Sequence, residues 1–327
     1  MKKILFLLLL LINLHLFANY KYQPADKKEL IELIKNESIY LGDIDTSKIT
    51  DMSFLFCSTR FICRDYKLTP VRRINFEGIE KWDVSNVEKM NHMFAGATKF
   101  NQPIGSWNVS KVEDMSYMFY NVGEFNQDIS NWDVSKVKNM SEMFRNAHKF
   151  NEDISKWEVF NVKDMMGMFL GANSFNRPLN NWDVSNVENM EEMFYKASSF
   201  NQPLNNWNVS SVTNMKGMFW EAKSFNQPLN DWNIMKVKNF KLMFYEAIQF
   251  NQNLDKWDIK VKKNNFIYQN FEKFRIYKKP IYKIFKKFGI YYKPFYGTFK
   301  KSGMKELPRW YGKIPEELKE EPDFPRY

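Results

Sequence analysis

The chain has 327 residues, of which 44% are apolar and 26% charged, so its composition excludes wholesale disorder. Its 2 Cys exclude a disulfide-dense scaffold, and its 3 His argue against a His-based metal or catalytic site. Residues 260–327 hold 18 Lys and Arg against 7 Asp and Glu, whereas the other 259 residues hold 30 against 31, so a near-neutral body precedes a basic C-terminal region.

Residues 1–18 have the pattern of a secretory signal peptide. Lys2 and Lys3 precede an unbroken apolar run from Ile4 to Ile12, and Ala18 supplies a small residue for cleavage. The run is shorter than the roughly 20 residues that span a bilayer, and no Cys lies near Ala18 for a lipid anchor. We expect export with cleavage after Ala18. The mature chain, without a transmembrane span, is then expected in the periplasm, at the cell surface or outside the cell.

Residues 19–43 are predicted to cap the first repeat. Asp26 and Glu29 stand at helix-capping spacing, and the apolar residues at 30, 31, 33 and 34 form one side of an amphipathic helix.

A 25-residue repeat fills residues 44–260. Trp recurs at positions 82, 107, 132, 157, 182, 207, 232 and 257, and a Phe-Asn pair recurs with the same interval. A worn first copy at 45–56 is followed by an insertion, residues 57–73, that carries Cys57 and Cys63. Because exported proteins meet an oxidising environment, we expect these two cysteines to form a disulfide.

The spacing within a repeat predicts one short strand and one short helix. Val87, Met90, Phe94 and Ala97 have helical spacing, whereas Trp107 and Val109 alternate with polar residues as in a strand. Neither element can close a core alone, so the copies must stack, with their strands parallel. We therefore predict an α/β solenoid with an N-terminal cap helix and a basic aromatic tail.

The Asn of the Phe-Asn pair is predicted to be structural. A buried Asn at a turn can satisfy backbone groups of neighbouring coils and so form a ladder. The predicted ladder is Asn101, Asn126, Asn151, Asn176, Asn201, Asn226 and Asn251.

Residues 261–327 are predicted to be a C-terminal cap followed by the tail. Ile267, Phe271 and Phe274 keep helical spacing for the cap, and a 14-residue basic aromatic repeat runs through 274–301. Three readings of this tail stay open: a flexible segment with local aromatic contacts, an irregular extension packed on the body, or a contact to an anionic envelope surface. Export argues against nucleic acid as its partner.

No sequence pattern for catalysis is present. The chain lacks a Gly-rich phosphate loop, a Gly-x-Ser-x-Gly motif and a His-Glu-x-x-His motif. Its acidic residues follow the repeat instead of breaking it, and scattered single carboxylates do not make a metal cage. We predict a protein that is not an enzyme, with no cofactor and no metal.

The repeat resembles that of a known family. The pattern Leu204-x-x-Trp207-x-Val209-x-x-Val212, followed by Met215-x-x-Met218-Phe219-x-x-Ala222-x-x-Phe225-Asn226-Gln227, resembles the BspA-like leucine-rich-repeat surface proteins of bacteria. The resemblance covers about residues 44–260 and implies a leucine-rich-repeat-like solenoid with a surface or adhesion role.

One polar position in the repeat is a candidate ligand-binding face. If each Trp and the Val two residues later point inward, the residue between them points outward. We call these residues the acid–amide row: Asp83, Asn108, Asp133, Glu158, Asp183, Asn208, Asn233 and Asp258. The row is interpreted either as a solvated face or as a concave surface that binds an extended protein or glycan.

Two functions follow from these patterns. The first is a non-catalytic binding or adhesion module that uses the acid–amide row to bind a protein or glycan on a cell surface. The alternative is a structural envelope component that its basic C-terminal tail attaches to an anionic surface.

Overall fold

The structure is a computed structural model that describes residues 20–257, 297–314 and 319. This part contains the α-helices α1, Lys27–Lys35, and α2, Arg60–Asp65, and the single-turn 3₁₀ helices Leu41–Asp43, Ile79–Lys81 and Tyr311–Lys313. The predicted signal peptide and the predicted C-terminal cap residues Ile267, Phe271 and Phe274 lie outside the described residues.

Helix α1 closes the N-terminal end of the stack. The Asp26 carboxylate accepts the Glu29 N–H at 2.9 Å, as in a capping box, and the Glu29 carboxylate accepts the N–H of Ala25, one residue before the N-cap, at 2.8 Å. Leu30 and Ile34 on its inner side are fully buried in the common core. The helix therefore covers the apolar end that the first coil would otherwise expose.

Backbone hydrogen bonds stack each 25-residue unit on the next. The Met90 N–H donates to the Asp114 oxygen at 3.0 Å, and the Phe94 N–H donates to the Met118 oxygen at 3.0 Å. Equivalent bonds recur in each later coil, as far as the 2.9 Å bond from the Phe219 N–H to the Met243 oxygen. The sequence repeat is thus a repeat of one backbone coil.

The predicted helix in each repeat is wrong within residues 82–257. The segment is a series of tight turns, in which the Met93 N–H donates to the Met90 oxygen at 3.1 Å and the Ala97 N–H to the Phe94 oxygen at 2.8 Å. His92 takes a left-handed φ of 58°, which interrupts any α-helix. Alternate N–H groups bond to the next coil, whereas a helix would use them internally and would need about 10–12 Å of width per coil.

The predicted strand at each Trp is also absent from the described repeats. The Asp83 carboxylate accepts the Ser85 N–H at 2.9 Å, and the Val87 N–H donates to the Val84 oxygen at 2.9 Å, so the chain turns two residues after the Trp. Single-residue parallel bridges form seven residues after the Trp instead. They join Asp51, Lys89, Asp114, Asn139, Asp164, Asn189, Asn214 and Asn239 in succession.

The core is a set of aromatic stacks that run through the coils. Phe144 stacks on Phe169 with ring centroids 5.8 Å apart, and Trp132 stacks on Trp157 at 6.4 Å. Each of these Trp side chains is buried and donates its indole N–H to a carbonyl of the preceding coil, as Trp157 does to the Ile129 oxygen at 3.1 Å. Neighbouring coils therefore share both apolar and polar contacts.

Residues 297–314, which we call the closing coil, form the last layer of the stack. The Phe244 N–H donates to the Thr298 oxygen at 2.8 Å, and Phe299 stacks on Phe244 at 5.6 Å. Trp310 stacks on Trp257 at 6.1 Å and donates its indole N–H to the Leu254 oxygen at 2.9 Å. Of the region predicted to be a cap and a tail, this part belongs to the body.

Replacing Trp157 with Ala should lower the free energy of unfolding by about 3–5 kcal/mol, since it removes a buried ring from the stack and an indole hydrogen bond. Urea denaturation followed by circular dichroism measures this. The control is Phe160→Ala, because Phe160 is 52% exposed and should cost little. Equal midpoints for the two variants would contradict the inward orientation of Trp157.

Replacing Trp310 with Ala should loosen the C-terminal end of the stack. Loss of its stacking on Trp257 should raise backbone hydrogen exchange across residues 240–257 and lower the urea midpoint. Leu307→Ala is the control, because Leu307 is 54% exposed. Unchanged exchange in both variants would mean that residues 297–314 are not part of the body in solution.

Candidate binding faces

The acid–amide row lies on the surface, one residue per coil. Its seven members from Asp83 to Asn233 are exposed, and each stands between a buried Trp and a buried Val or Ile. Beneath it, Trp132 and Trp157, Trp182 and Trp207, and Trp207 and Trp232 stack with ring centroids 6.4–6.5 Å apart. Asp258, the predicted eighth member, lies outside the described residues.

Most of the row also holds the backbone turn. The Asp133 carboxylate accepts the Ser135 N–H at 3.0 Å, and Asn108, Asp183, Asn208 and Asn233 make the same contact with the residue two positions on. Hydrogen bonds from Ser135 lower the pKa of Asp133, so its carboxylate stays charged. Glu158 departs from the pattern, because its side chain is longer and Phe160 stands where the other coils have Ser or Met.

The Asn residues of the Phe-Asn pairs form a ladder. The Asn126 N–H donates to the Asn101 side-chain oxygen at 2.9 Å, and each later Asn repeats the contact, up to the 3.0 Å bond from the Lys305 N–H to Asn251. These side chains are exposed or half-buried, so the expectation that they are buried is wrong. The turn that carries them sits at the surface, and the ladder leaves their amide groups near solvent.

A second set of turn-forming side chains was not predicted. Residues at the parallel bridges accept the N–H two positions later, as Asp114 does from Ser116 and Asn139 from Ser141, both at 2.9 Å. The signal for them in the sequence is an Asp or Asn directly before the first Met of most repeats. The predicted helix placed these residues in its first turn, so their role as acceptors for the N–H two positions later was not predicted.

A varied surface, which we call the turn face, follows the Phe that recurs after the Met pair of each coil. It consists of Tyr120, Arg145, Leu170, Tyr195, Trp220 and Tyr245, of which Leu170 is buried and the others half-buried. Tyr195 stacks on Trp220 at 4.4 Å, and the Arg145 guanidinium lies 5.4 Å from the Tyr120 ring. Sequence analysis missed this surface because it assigned the segment to a helix.

The charge of Arg145 on the turn face, and charges in the turns beside it, are paired within the protein. Arg145 lies 2.8 Å from Glu142, and Lys216 contacts both Glu191 and Glu192. Burial raises the pKa of Glu142, although the Arg145 guanidinium opposes that effect. The turn face therefore carries aromatic groups and little uncompensated charge.

The two cysteines lie side by side as thiols. Both side chains are buried, and their Sγ atoms are 2.7 Å apart. An S–S bond is roughly 2.04 Å long, so a small shift would bring the two sulfurs to bonding distance. Burial, and then the hydrogen bond to Cys63, raise the pKa of the Cys57 thiol, which makes it a poor nucleophile. The disulfide stays a prediction.

Nearby, His92 is also unsuited to acid–base chemistry. Its ring is sandwiched between Phe54 and Tyr117, each with centroids 4.4 Å away. Burial lowers the pKa of His92 to about 4, so it is neutral at physiological pH. Across the described residues, no three His, Cys, Asp or Glu side chains are grouped to hold a metal ion. The same residues include no helix with the length and apolarity needed to cross a membrane.

The repeats match a described family. A model of the family "Mycoplasma protein of unknown function, DUF285" matches residues 64–182 and 171–281, which together span two thirds of the chain. The chain belongs to this family. Two tandem matches agree with the repeat derived from the Trp interval, although they do not distinguish a BspA-like protein. No curated protein and no solved structure matches the chain.

Oxidation of the protein should join Cys57 and Cys63 without rearranging the fold. Mass spectrometry of an unreduced digest should find the two peptides linked in protein expressed with its predicted signal peptide and recovered from an oxidising compartment. Protein kept in reductant should show two free thiols and serves as the comparison. Free alkylation of both cysteines in the unreduced exported protein would contradict the predicted pairing.

Proposed function

We infer that this chain is an exported, non-catalytic binding module built as a leucine-rich-repeat-like solenoid. The observation that carries the proposal is the acid–amide row, which offers an exposed carboxylate or amide on seven consecutive described coils. An extended protein or glycan could be bound at several coils at once, and multiple weak contacts add up on a preorganised surface. Within the described residues, the two groups with the clearest burial-driven pKa shifts, Cys57 and His92, are packed among apolar side chains.

The row binds through the polar atoms that the turns do not use. In each described Asp or Asn of the row, one side-chain oxygen accepts the N–H two residues on, and the residue as a whole is exposed. Asp would accept hydrogen bonds from a ligand, whereas Asn could also donate them. Specificity would then follow from the order of acids and amides along the stack.

The alternative is attachment of the protein to an anionic surface by its basic tail, and the structure reduces the number of tail residues that would serve this role. Residues 297–314 contribute to the last coil, so the attaching segment would be 258–296, which holds 11 Lys and Arg against 2 Asp and Glu. Binding to anionic surfaces through such a segment would weaken steeply with salt. Binding through the acid–amide row would depend less on salt.

Removing the charges of the row should weaken ligand binding and leave the fold intact. Asp133→Asn and Asp183→Asn preserve the turns, because Asn fills the same position in three other described coils, and Glu158→Gln completes the variant. Glycan and protein arrays probed with the mature chain would identify ligands. We expect at least tenfold weaker binding of those ligands by the triple variant.

The matched control neutralises three exposed acids elsewhere, Glu77, Glu88 and Glu306, each to Gln. It changes the net charge equally and should bind as the parent does. Equal loss in both variants would assign the effect to net charge, and no loss in either would exclude the acid–amide row as the binding face.

A further inference from the structure

The insertion after the first coil exposes apolar side chains close together. Phe61 is 65% exposed, Tyr66 56% and Leu68 42%, all within eight residues, and Ile74 follows at 76%. Four of the eight large apolar side chains that are exposed in the described part thus lie between positions 61 and 74. Isolated exposed residues need no explanation, but such a concentration in one segment is a reason to ask what covers it.

The same segment is basic. Residues 57–73 contain five Arg and Lys and a single acid, Asp65, which is 3.7 Å from Arg64. Arg60, Arg64 and Lys67 are exposed, and the Arg64 guanidinium lies 5.3 Å from the centre of the Phe61 ring. Basic and apolar side chains are therefore exposed in the same segment, on a body whose net charge is close to zero.

The insertion is held firmly in place. The Arg73 guanidinium donates to the carbonyl oxygens of Ile34, Asn36 and Ile39, which ties the segment to the end of α1. The Val71 N–H donates to the Cys57 oxygen at 2.9 Å, so both ends of the segment meet at the first coil. Because the backbone is already ordered, docking would cost little conformational entropy.

We propose that the patch formed by Arg60, Phe61, Arg64, Tyr66, Lys67 and Leu68, the insertion patch, docks on an anionic phospholipid bilayer. Its cations match the headgroup phosphates, while Phe61 and Leu68 enter the boundary with the acyl chains and Tyr66 lies at the interface. The charge of the patch selects this occupant, because an anionic interface satisfies the cations and the apolar side chains at once. This site is separate from the acid–amide row and does not depend on its function.

Co-sedimentation of residues 19–327 with vesicles tests the proposal. Vesicles of equal parts phosphatidylglycerol and phosphatidylcholine should bind the protein far better than phosphatidylcholine alone. Arg60→Gln with Arg64→Gln should lower the partition coefficient about 25-fold, since each cation near an anionic surface contributes about fivefold. Phe61→Ser with Leu68→Ser should lower it about tenfold or more.

Controls keep the same chemistry elsewhere on the body. Lys136→Gln with Lys236→Gln, and Phe160→Ser with Met235→Ser, alter exposed residues of the repeats and should change binding less than twofold. The segment 258–296 is common to all variants, so differences between them report the insertion patch. Salt is set so that about half of the parent protein sediments.

Hydrogen exchange with and without vesicles locates the contact. Protection of residues 60–68 on anionic vesicles supports the proposal. Protection confined to 258–296, or equal partitioning of the insertion and control variants, overturns it. Retention on polyglutamate beads without any vesicle binding also overturns it and points to an acidic protein instead.

Discussion

The backbone bonds between coils are the constraint on which everything else depends. Between the regular coils most of these bonds join residues 24 or 25 positions apart, as in the bonds from the Met90 N–H to the Asp114 oxygen and from the Glu113 N–H to the Glu88 oxygen. One inserted residue within a repeat would move every later side chain out of register with the ring stacks. The extra residues are accordingly placed where the stack begins and ends, in 57–73 and 258–296.

The same constraint decides the local backbone. If alternate N–H groups must reach the next coil, only the others can close turns within the coil, and left-handed residues are needed between them. Gly fills some of these positions, such as Gly167 and Gly217, but Tyr117, Glu142 and Leu242 fill others with φ near 57–59°. A residue with a side chain costs about 1–2 kcal/mol there. Ring stacking of Tyr117, the ion pair of Glu142 and burial of Leu242 oppose that cost.

Sequence reasoning could establish what depends on the period alone. The inward Trp and Phe residues and the Asn ladder follow from recurrence, and Asp26 with Glu29 specifies α1. The helix at Val87–Ala97 was wrong, because a chain of turns buries Met90, Met93, Phe94 and Ala97 with the same spacing. The closing coil escaped notice, since 39 residues separate Trp257 from Gly297 and few residues of the motif persist in it. The turn face was not predicted, because a helix was assigned to the segment that forms it.

Packing also determines which surfaces can vary from coil to coil. In the acid–amide row a turn must be held, which limits nearly every coil to Asp or Asn. After each core Phe no such bond is required, and the turn face changes from Tyr to Arg, Leu and Trp.

Other segments lie over both ends of the turn face. The insertion lies over the first coils, where Gly96 is close to Thr59, and the closing coil approaches Leu242 and Tyr245 at the other end. Between them, Arg145 to Trp220 remain uncovered by either segment. Aromatic and Arg side chains contribute strongly to protein interfaces, so these central coils differ in chemistry from the acid–amide row, where the backbone turn limits nearly every coil to a short acid or amide.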